Sequence, residues 1–142
     1  MKKAVETKLI GYANVIKASL PYLNDKSSII NVASVHAHGT KEGYAMYAAA
    51  NGGVISLTKA LTVELRHHSR INTITPGGFI TDIYKKVVPN WEEKLEKGQV
   101  LETKKVSDVV HFFLSEESSG INGAEILVEV GSSAMRAKSS DW

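Results

Sequence analysis

The sequence predicts an α/β fold built on a parallel sheet, and three observations carry that reading. Short apolar runs rich in β-branched residues recur at 28–33, 71–74 and 124–128. Stretches with apolar residues at spacings of 3 and 4 alternate with them, at 4–23, 44–66 and 106–115. The resulting order is helix, strand, helix, strand, helix, strand. Strands separated by helices of this length need right-handed crossovers, which makes the sheet parallel. No internal repeat and no interdomain linker interrupts the order. One domain is therefore expected over 1–131, followed by a small, polar, disordered tail at 132–142.

The first helix is marked by Val5, Leu9, Ala13, Ile16 and Leu20, and Pro21 with the Asn24-Asp25-Lys26-Ser27 cluster ends it. Ser28 to Ala33 is nearly continuous in apolar character, as a strand buried on both faces should be. A polar loop holding His36 and His38 follows, from Val35 to Gly43. Residues 44–66 form the longest periodic segment, with Ala50, Val54, Leu57, Leu61 and Leu65 on its buried face. Gly52-Gly53 within it costs helix propensity of roughly 1 kcal/mol per glycine, which suggests another backbone packed very close. The strand at 71–74 ends in Thr75-Pro76-Gly77-Gly78. Residues 79–103 read as irregular, with a short helix around 91–97, and Asp108 favours the first turn of the helix at 106–115.

Bulk properties narrow the function. The 142 residues suffice for one modest core, and Lys+Arg of 17 against Asp+Glu of 15 leaves +2, too balanced to argue for nucleic acid or an anionic membrane. There is no cysteine, hence no disulfide, thiolate nucleophile or Cys-ligated zinc. No apolar run reaches the roughly 20 residues of a membrane helix. Glu6 and Lys8 interrupt the start where a signal peptide needs an apolar core, so a cytoplasmic protein is expected. His36-Ala37-His38 lacks a nearby carboxylate or third ligand, and is read as a solvated loop rather than a metal site.

Ser34 closes the run Ile29-Ile30-Asn31-Val32-Ala33, and Tyr47 follows 13 positions later, near the front of the long helix. A serine at a strand end and a tyrosine one turn into the next helix can converge on one carbonyl oxygen. The flanks also match a known pattern in order: Gly11 through Leu23; Ile30 to Ser34; Tyr47 through Leu65 with Gly53-Val54-Ile55-Ser56-Leu57; Arg70-Ile71-Asn72 with Pro76-Gly77 and Thr81; and Phe112 to Ser115 with Gly123 and Val128-Glu129. Together they resemble the short-chain dehydrogenase/reductase family. The resemblance covers nearly the whole chain but only the second half of the family's fold. It implies a partial doubly wound, Rossmann-like sheet of about three strands without the nucleotide-binding front half. No G-x-G-x-x-G turn precedes Ala4.

The resemblance implies hydride transfer between NAD or NADP and a small carbonyl or alcohol substrate. Tyr47 would be the acid/base, and Ser34 would hold the reacting oxygen. Tyr47, Asn51, Pro76, Gly77, Phe79 and Thr81 would line the nicotinamide side, with Phe79 contributing its backbone. His36 follows Ser34 closely enough to line a substrate pocket. The sequence departs from the family pattern: Asn51 stands where the family has lysine, Lys8 stands where it has asparagine, and, as a smaller change, Glu129-Val130-Gly131 replaces the usual Asp-Gly-Gly ending. A free tyrosine has a pKa near 10, and an ammonium beside it favours phenolate. Losing a two-unit shift would weaken the base by about 2.7 kcal/mol. Activity is therefore expected to suffer unless another cation substitutes, and an ammonium of Lys8 reaching Tyr47 would be that cation. The alternative is a non-catalytic truncated paralogue that pairs with itself or with full-length relatives through the helices at 4–23 and 44–66.

Overall fold

The computed structural model describes residues 2–131 and 133. Three strands, β1 (Ser27–Val32), β2 (Ser69–Pro76) and β3 (Glu125–Val128), form one open parallel sheet in the order β1-β2-β3. β2 is central: Ile71 lies opposite Ile29 and Thr73 opposite Glu125, so it is paired on both edges. Every β2 residue except Arg70 is buried, whereas β1, at the sheet edge, is mostly half-buried and ends on exposed Val32. The edge position explains why an apolar run that reads as doubly buried is covered less than its composition suggests.

Helices cover both faces. α3 (Ala45–Leu65) lies on one, burying Ala50, Val54 and Leu65 as the periodicity predicts and packing Val54 and Ile55 against Ala33, with a polar seam beside them. The Thr58 hydroxyl accepts from Asn31 Nδ2 at 2.8 Å and from Thr73 Oγ1 at 2.8 Å, and donates to the Val54 carbonyl at 3.0 Å. That uses the full capacity of one hydroxyl. On the opposite face α6 (Thr103–Leu114) packs Val106 and Phe113 against Ile74 and Val128, with Ile30 and Phe79 alongside. Arg70 reaches the end of α6, donating to the carbonyls of Ser118 (2.8 Å), Ile121 (3.2 Å), Phe113 and Ser115 (both 3.3 Å).

The N-terminal helix is composite. α1 (Lys2–Ala4) leads into a π-helical stretch, Val5–Ile10, then α2 (Gly11–Ser19) and a 3₁₀ turn, Leu20–Tyr22, at Pro21. The wider turn is closed by the Gly11 N–H on the Glu6 carbonyl, five residues back. Of the apolar positions expected to be buried here, Ile16 is buried but Leu20 is exposed.

Several expectations need correcting. Gly52 faces open space, and a Cβ on Gly53 would come 2.9 Å from a Leu9 methyl, so the close neighbour is a side chain of the π turn and not a backbone. Pro76 belongs to β2: its carbonyl side and fixed φ suit a strand end, and the strand runs from Ser69, wider than its apolar centre suggests. The stretch 79–103 is more ordered than its composition suggests. It holds α4 (Asp82–Val87) and α5 (Trp91–Glu96), and Phe79 bridges Leu101 in parallel. α6 begins at Thr103, which moves Asp108 out of the first turn and into an i,i+4 pair with Lys104 at 2.6 Å. The expected disorder at 132–142 falls, Ser133 apart, outside the described residues.

Candidate active site

In open α/β sheets, ligands bind beyond the carboxyl ends of the strands. Ser34 lies two residues past β1 and Gly77 follows β2, so both belong to that end. The loop from β1 turns once as a 3₁₀ helix, Val35–Ala37, before α3 starts back, which brings Tyr47 to the same end.

Ser34 caps the 3₁₀ turn: its Oγ accepts from the His36 N–H at 3.4 Å. A hydroxyl that accepts in this way keeps its own proton to donate. The His36 ring stacks on Tyr44, with centroids 5.1 Å apart, and meets Tyr47 edge-on at 5.5 Å. Tyr44 in turn is edge-on to Tyr47 at 6.2 Å. His36 thus ties Ser34 to Tyr47 through its backbone on one side and its ring on the other. Its Nδ1 is 2.9 Å from Thr40 Oγ1. Burial, and then the nearby Lys41 ammonium, hold the His36 imidazole below its ordinary pKa of 6.5.

Across α3, Tyr47 and Asn51 share a face at i,i+4. Asn51 is fully buried, and its Nδ2 donates to the Tyr47 carbonyl at 2.8 Å. Its Oδ1 accepts from Lys8 Nζ at 2.9 Å. The same ammonium lies 5.3 Å from the centroid of the Tyr47 ring. The Lys8 ammonium therefore lies over the face of the Tyr47 ring. Tyr12 is a neighbour that sequence reasoning missed. Its hydroxyl donates to the Val32 carbonyl at 2.9 Å, and burial, then the proximity of Tyr47, push its pKa above the ordinary 10.0. The signal was its place beside Gly11, in a segment already matched to the family.

The second half of the predicted site is assembled separately. The Gly77 N–H donates to the Val128 carbonyl at 3.0 Å, and a Cβ there would meet Glu129 Cβ at 2.9 Å, so glycine lets β2 pass close to the end of β3. The Phe79 side chain packs into the α6-face core. Its bridge to Leu101 runs through the Gly78 carbonyl and the Ile80 N–H, and the backbone groups of Phe79 itself take no part. Thr81 is the N-cap of α4, accepting from the Tyr84 N–H at 3.0 Å and keeping its own proton. His38, read as solvated, is 2.6 Å from a carboxylate oxygen of Glu125, which also accepts from Thr75 Oγ1 at 2.7 Å. The sequence reading found no carboxylate near because Glu125 is 87 residues away. Among the described residues, no group of three or more His, Asp or Glu could hold a metal, and no helix is long and apolar enough to cross a membrane.

Comparison with known proteins decides the lineage. A family model described as enoyl-(acyl carrier protein) reductase matches residues 1–133. The chain belongs to the short-chain dehydrogenase/reductase family. It is 34% identical over 124 residues to the meso-2,3-butanediol dehydrogenase of Serratia marcescens, a match covering 83% of this chain and 49% of that one. It is 36% identical over 111 residues to the (3R)-3-hydroxyacyl-CoA dehydrogenase of Homo sapiens, covering 75% and 42%. Among solved structures, the ligand-free aldohexose dehydrogenase of Thermoplasma acidophilum superposes with a TM-score of 0.85 at 26% identity, covering 95% of this chain and 60% of that one. This family member therefore spans about half the length of the curated relatives it matches. Its fold is the partial Rossmann-like sheet that the sequence predicts.

A dinucleotide's nicotinamide end calls for donors to a ribose and a proton-transfer group beside the ring. Lys8 spends one of its three protons on Asn51, and Thr81 and Ser34 keep theirs, so the residues present fit that end. The Asn51 amide is engaged at both ends, by the Lys8 ammonium and by the Tyr47 carbonyl. For the pyrophosphate, the 142 residues offer no glycine-rich strand-to-helix turn.

Proposed function

We propose that this chain carries the catalytic half of an NAD(P)-dependent oxidoreductase that interconverts a small carbonyl compound and its alcohol. The observation that carries the reading is the His36 link between Ser34 and Tyr47 at the carboxyl end of the sheet. On this reading the Ser34 hydroxyl donates to the reacting oxygen and fixes its position. Tyr47 gives its phenolic proton to that oxygen during reduction and takes it back during oxidation. The nicotinamide supplies or accepts the hydride. Lys8 and Thr81 hold the ribose and carboxamide side, with Pro76 and Gly77 shaping the wall. NAD and NADP both suit the residues named.

A titration of the purified chain with NADH and NADPH, followed by thermal shift and fluorescence, tests this. Saturable binding with stabilisation is expected, and carbonyl turnover that disappears in Tyr47→Phe. A folded protein that binds neither cofactor overturns the reading. The second reading, a non-catalytic pairing module, is favoured by apolar residues turned to solvent on the two long helical segments. Val15 is 69% exposed and Val63 62%. A stable dimer in sedimentation that ignores both cofactors would make that reading the better one.

A further inference from the structure

We infer that the amino end of the sheet carries a second binding site, which takes the phosphate group of a small molecule. β1 and β2 begin there, at Ser27 and Ser69, so it lies opposite the candidate active site. None of its residues is among those assigned to the carbonyl or the nicotinamide, and it stands apart from the oxidoreductase reading. A cleft of about 330 Å³ opens between the end of α3 and the start of β2. Lys26, Arg66 and Arg70 bring three permanent cations to its wall, and Glu116 brings a single carboxylate. A cleft of this size suits a small ligand. The net charge of +2 gives no broad basic face for a nucleic acid.

Ser69 supplies the observation that points to a ligand. It is 5% exposed and lines the cleft, yet its hydroxyl has no hydrogen-bond partner among the described residues. Among those residues no side-chain nitrogen or oxygen that is shut off from the surface lacks a partner, so this hydroxyl reaches the cleft. A hydroxyl so deeply placed gains most when a group in the cleft accepts its proton. A phosphate oxygen accepts from a hydroxyl, and the lysine and arginine beside it add charge-assisted donors.

The carboxyl end of a helix ordinarily repels an anion, because its last carbonyls carry partial negative charge. Here those carbonyls are occupied. The Val63 carbonyl accepts from Arg66 Nη1, the Leu65 carbonyl from the His68 N–H at 2.8 Å, and the His68 carbonyl from the Lys26 N–H at 2.7 Å. That last bond accompanies a φ of 64° at Lys26, which is the one non-glycine residue in the left-handed region among the described residues. Outliers of this kind gather at ligand sites. The Arg70 guanidinium is committed to carbonyls at the end of α6, so its part is charge alone. Asp25 lies on a smaller adjoining cavity that shares His68 and Ser69. With Asp25 counted, the cations still outnumber the carboxylates, and none of these groups belongs to the ion pairs among the described residues.

The test follows backbone amide resonances of the full chain during titration with inorganic phosphate, at constant ionic strength in chloride. Saturable shifts are expected at Lys26, His67, His68 and Ser69, with the amides of Ser34 and Tyr47 unmoved. Ser69→Ala should weaken phosphate binding about tenfold, the worth of one hydrogen bond to a charged group. Lys26→Asn removes a cation but keeps a residue that tolerates positive φ, and should also weaken binding about tenfold. Circular dichroism identifies variants that fold, and either variant serves as the readout if the other does not. The absence of saturable shifts overturns the inference, as do shifts confined to the carboxyl end of the sheet. Phosphate binding of unchanged strength in a folded Ser69→Ala or a folded Lys26→Asn overturns it too. These outcomes leave the oxidoreductase reading standing, and a failed cofactor titration leaves the phosphate site standing.

Discussion

On the α6 face of the sheet, Phe113 lies fully buried among Ile74, Val106 and Val128, and the polar bonds gather at the end of the helix, where Ser28 and Arg70 donate to the Phe113 carbonyl. At the same depth on the α3 face, Thr58 takes hydrogen bonds from Asn31 and Thr73, and further along the same helix Asn51 is buried between Lys8 and the Tyr47 backbone. The difference shows how the two faces divide their work. Apolar packing tolerates small slides of a helix, because dispersion and burial depend weakly on direction. A hydroxyl with three committed partners does not, since moving it strands a buried donor. α3 carries Tyr47, so the helix that must be placed to a fraction of an ångström is the one clamped by polar bonds. α6 carries none of the proposed site residues, and between its bonded end and its start it is placed by apolar packing.

The largest effect expected from this contrast is on the apolar face. Phe113→Ala should cost about 3–5 kcal/mol in urea unfolding, through lost burial and the cavity it leaves. It should leave cofactor-dependent stabilisation where it was. A loss of that stabilisation in the variant would mean the faces are mechanically coupled, and would break the comparison.

A smaller loss is expected on the polar face. Thr58→Val keeps the volume but leaves Asn31 Nδ2 and Thr73 Oγ1 without their acceptor. The cost should be about 1–3 kcal/mol for each stranded group that finds no substitute. Unlike Phe113→Ala, this variant should also weaken cofactor-dependent stabilisation by loosening α3. Unfolding indistinguishable from the unchanged chain would show that the face packs by shape after all.

The smallest effect is a pH dependence at the mouth of the site. The folded His36 imidazole is held below 6.5 by burial and by Lys41, so the unfolded chain takes up its proton first. Stability should therefore be flat above pH 6.5, fall as pH drops through that value, and level off once the folded imidazole protonates as well. Melting temperatures measured across this range should show the fall in the unchanged chain and a shallower one in His36→Phe. Equal slopes would remove His36 from the titrating set.

Much of the fold could be read from residue order. The β-branched runs around Ile30, Ile71 and Ile126 are strands, and the 3-and-4 spacings at Val54, Leu65 and Ile16 are helices, because both patterns report local backbone geometry. α4 escaped notice because Asp82–Val87 is too short to display a period, and its start depends on the cap at Thr81. The buried status of Asn51 and Thr58 also escaped, since polar residues on a helix read as its solvent face until their partners are known. Ser34 and Tyr47 stood out by spacing and flanks. Tyr12 was overlooked within a segment whose match to the family was already noted, and the Glu125 partner of His38, 87 residues away, has no local signature.

By itself, then, the sequence determined the element types, the parallel arrangement and the family, all of which follow from periodicity, connection length and ordered motifs. Where the Lys8 ammonium goes was decided only by the tertiary structure. Lys8 and Asn51 are 43 residues apart, and their contact depends on a π turn, on the crossing of two helices at Gly53, and on an amide oriented by the Tyr47 backbone. Local pattern carries no information on how two helices cross, because the crossing is set by side chains that meet only after the chain has folded.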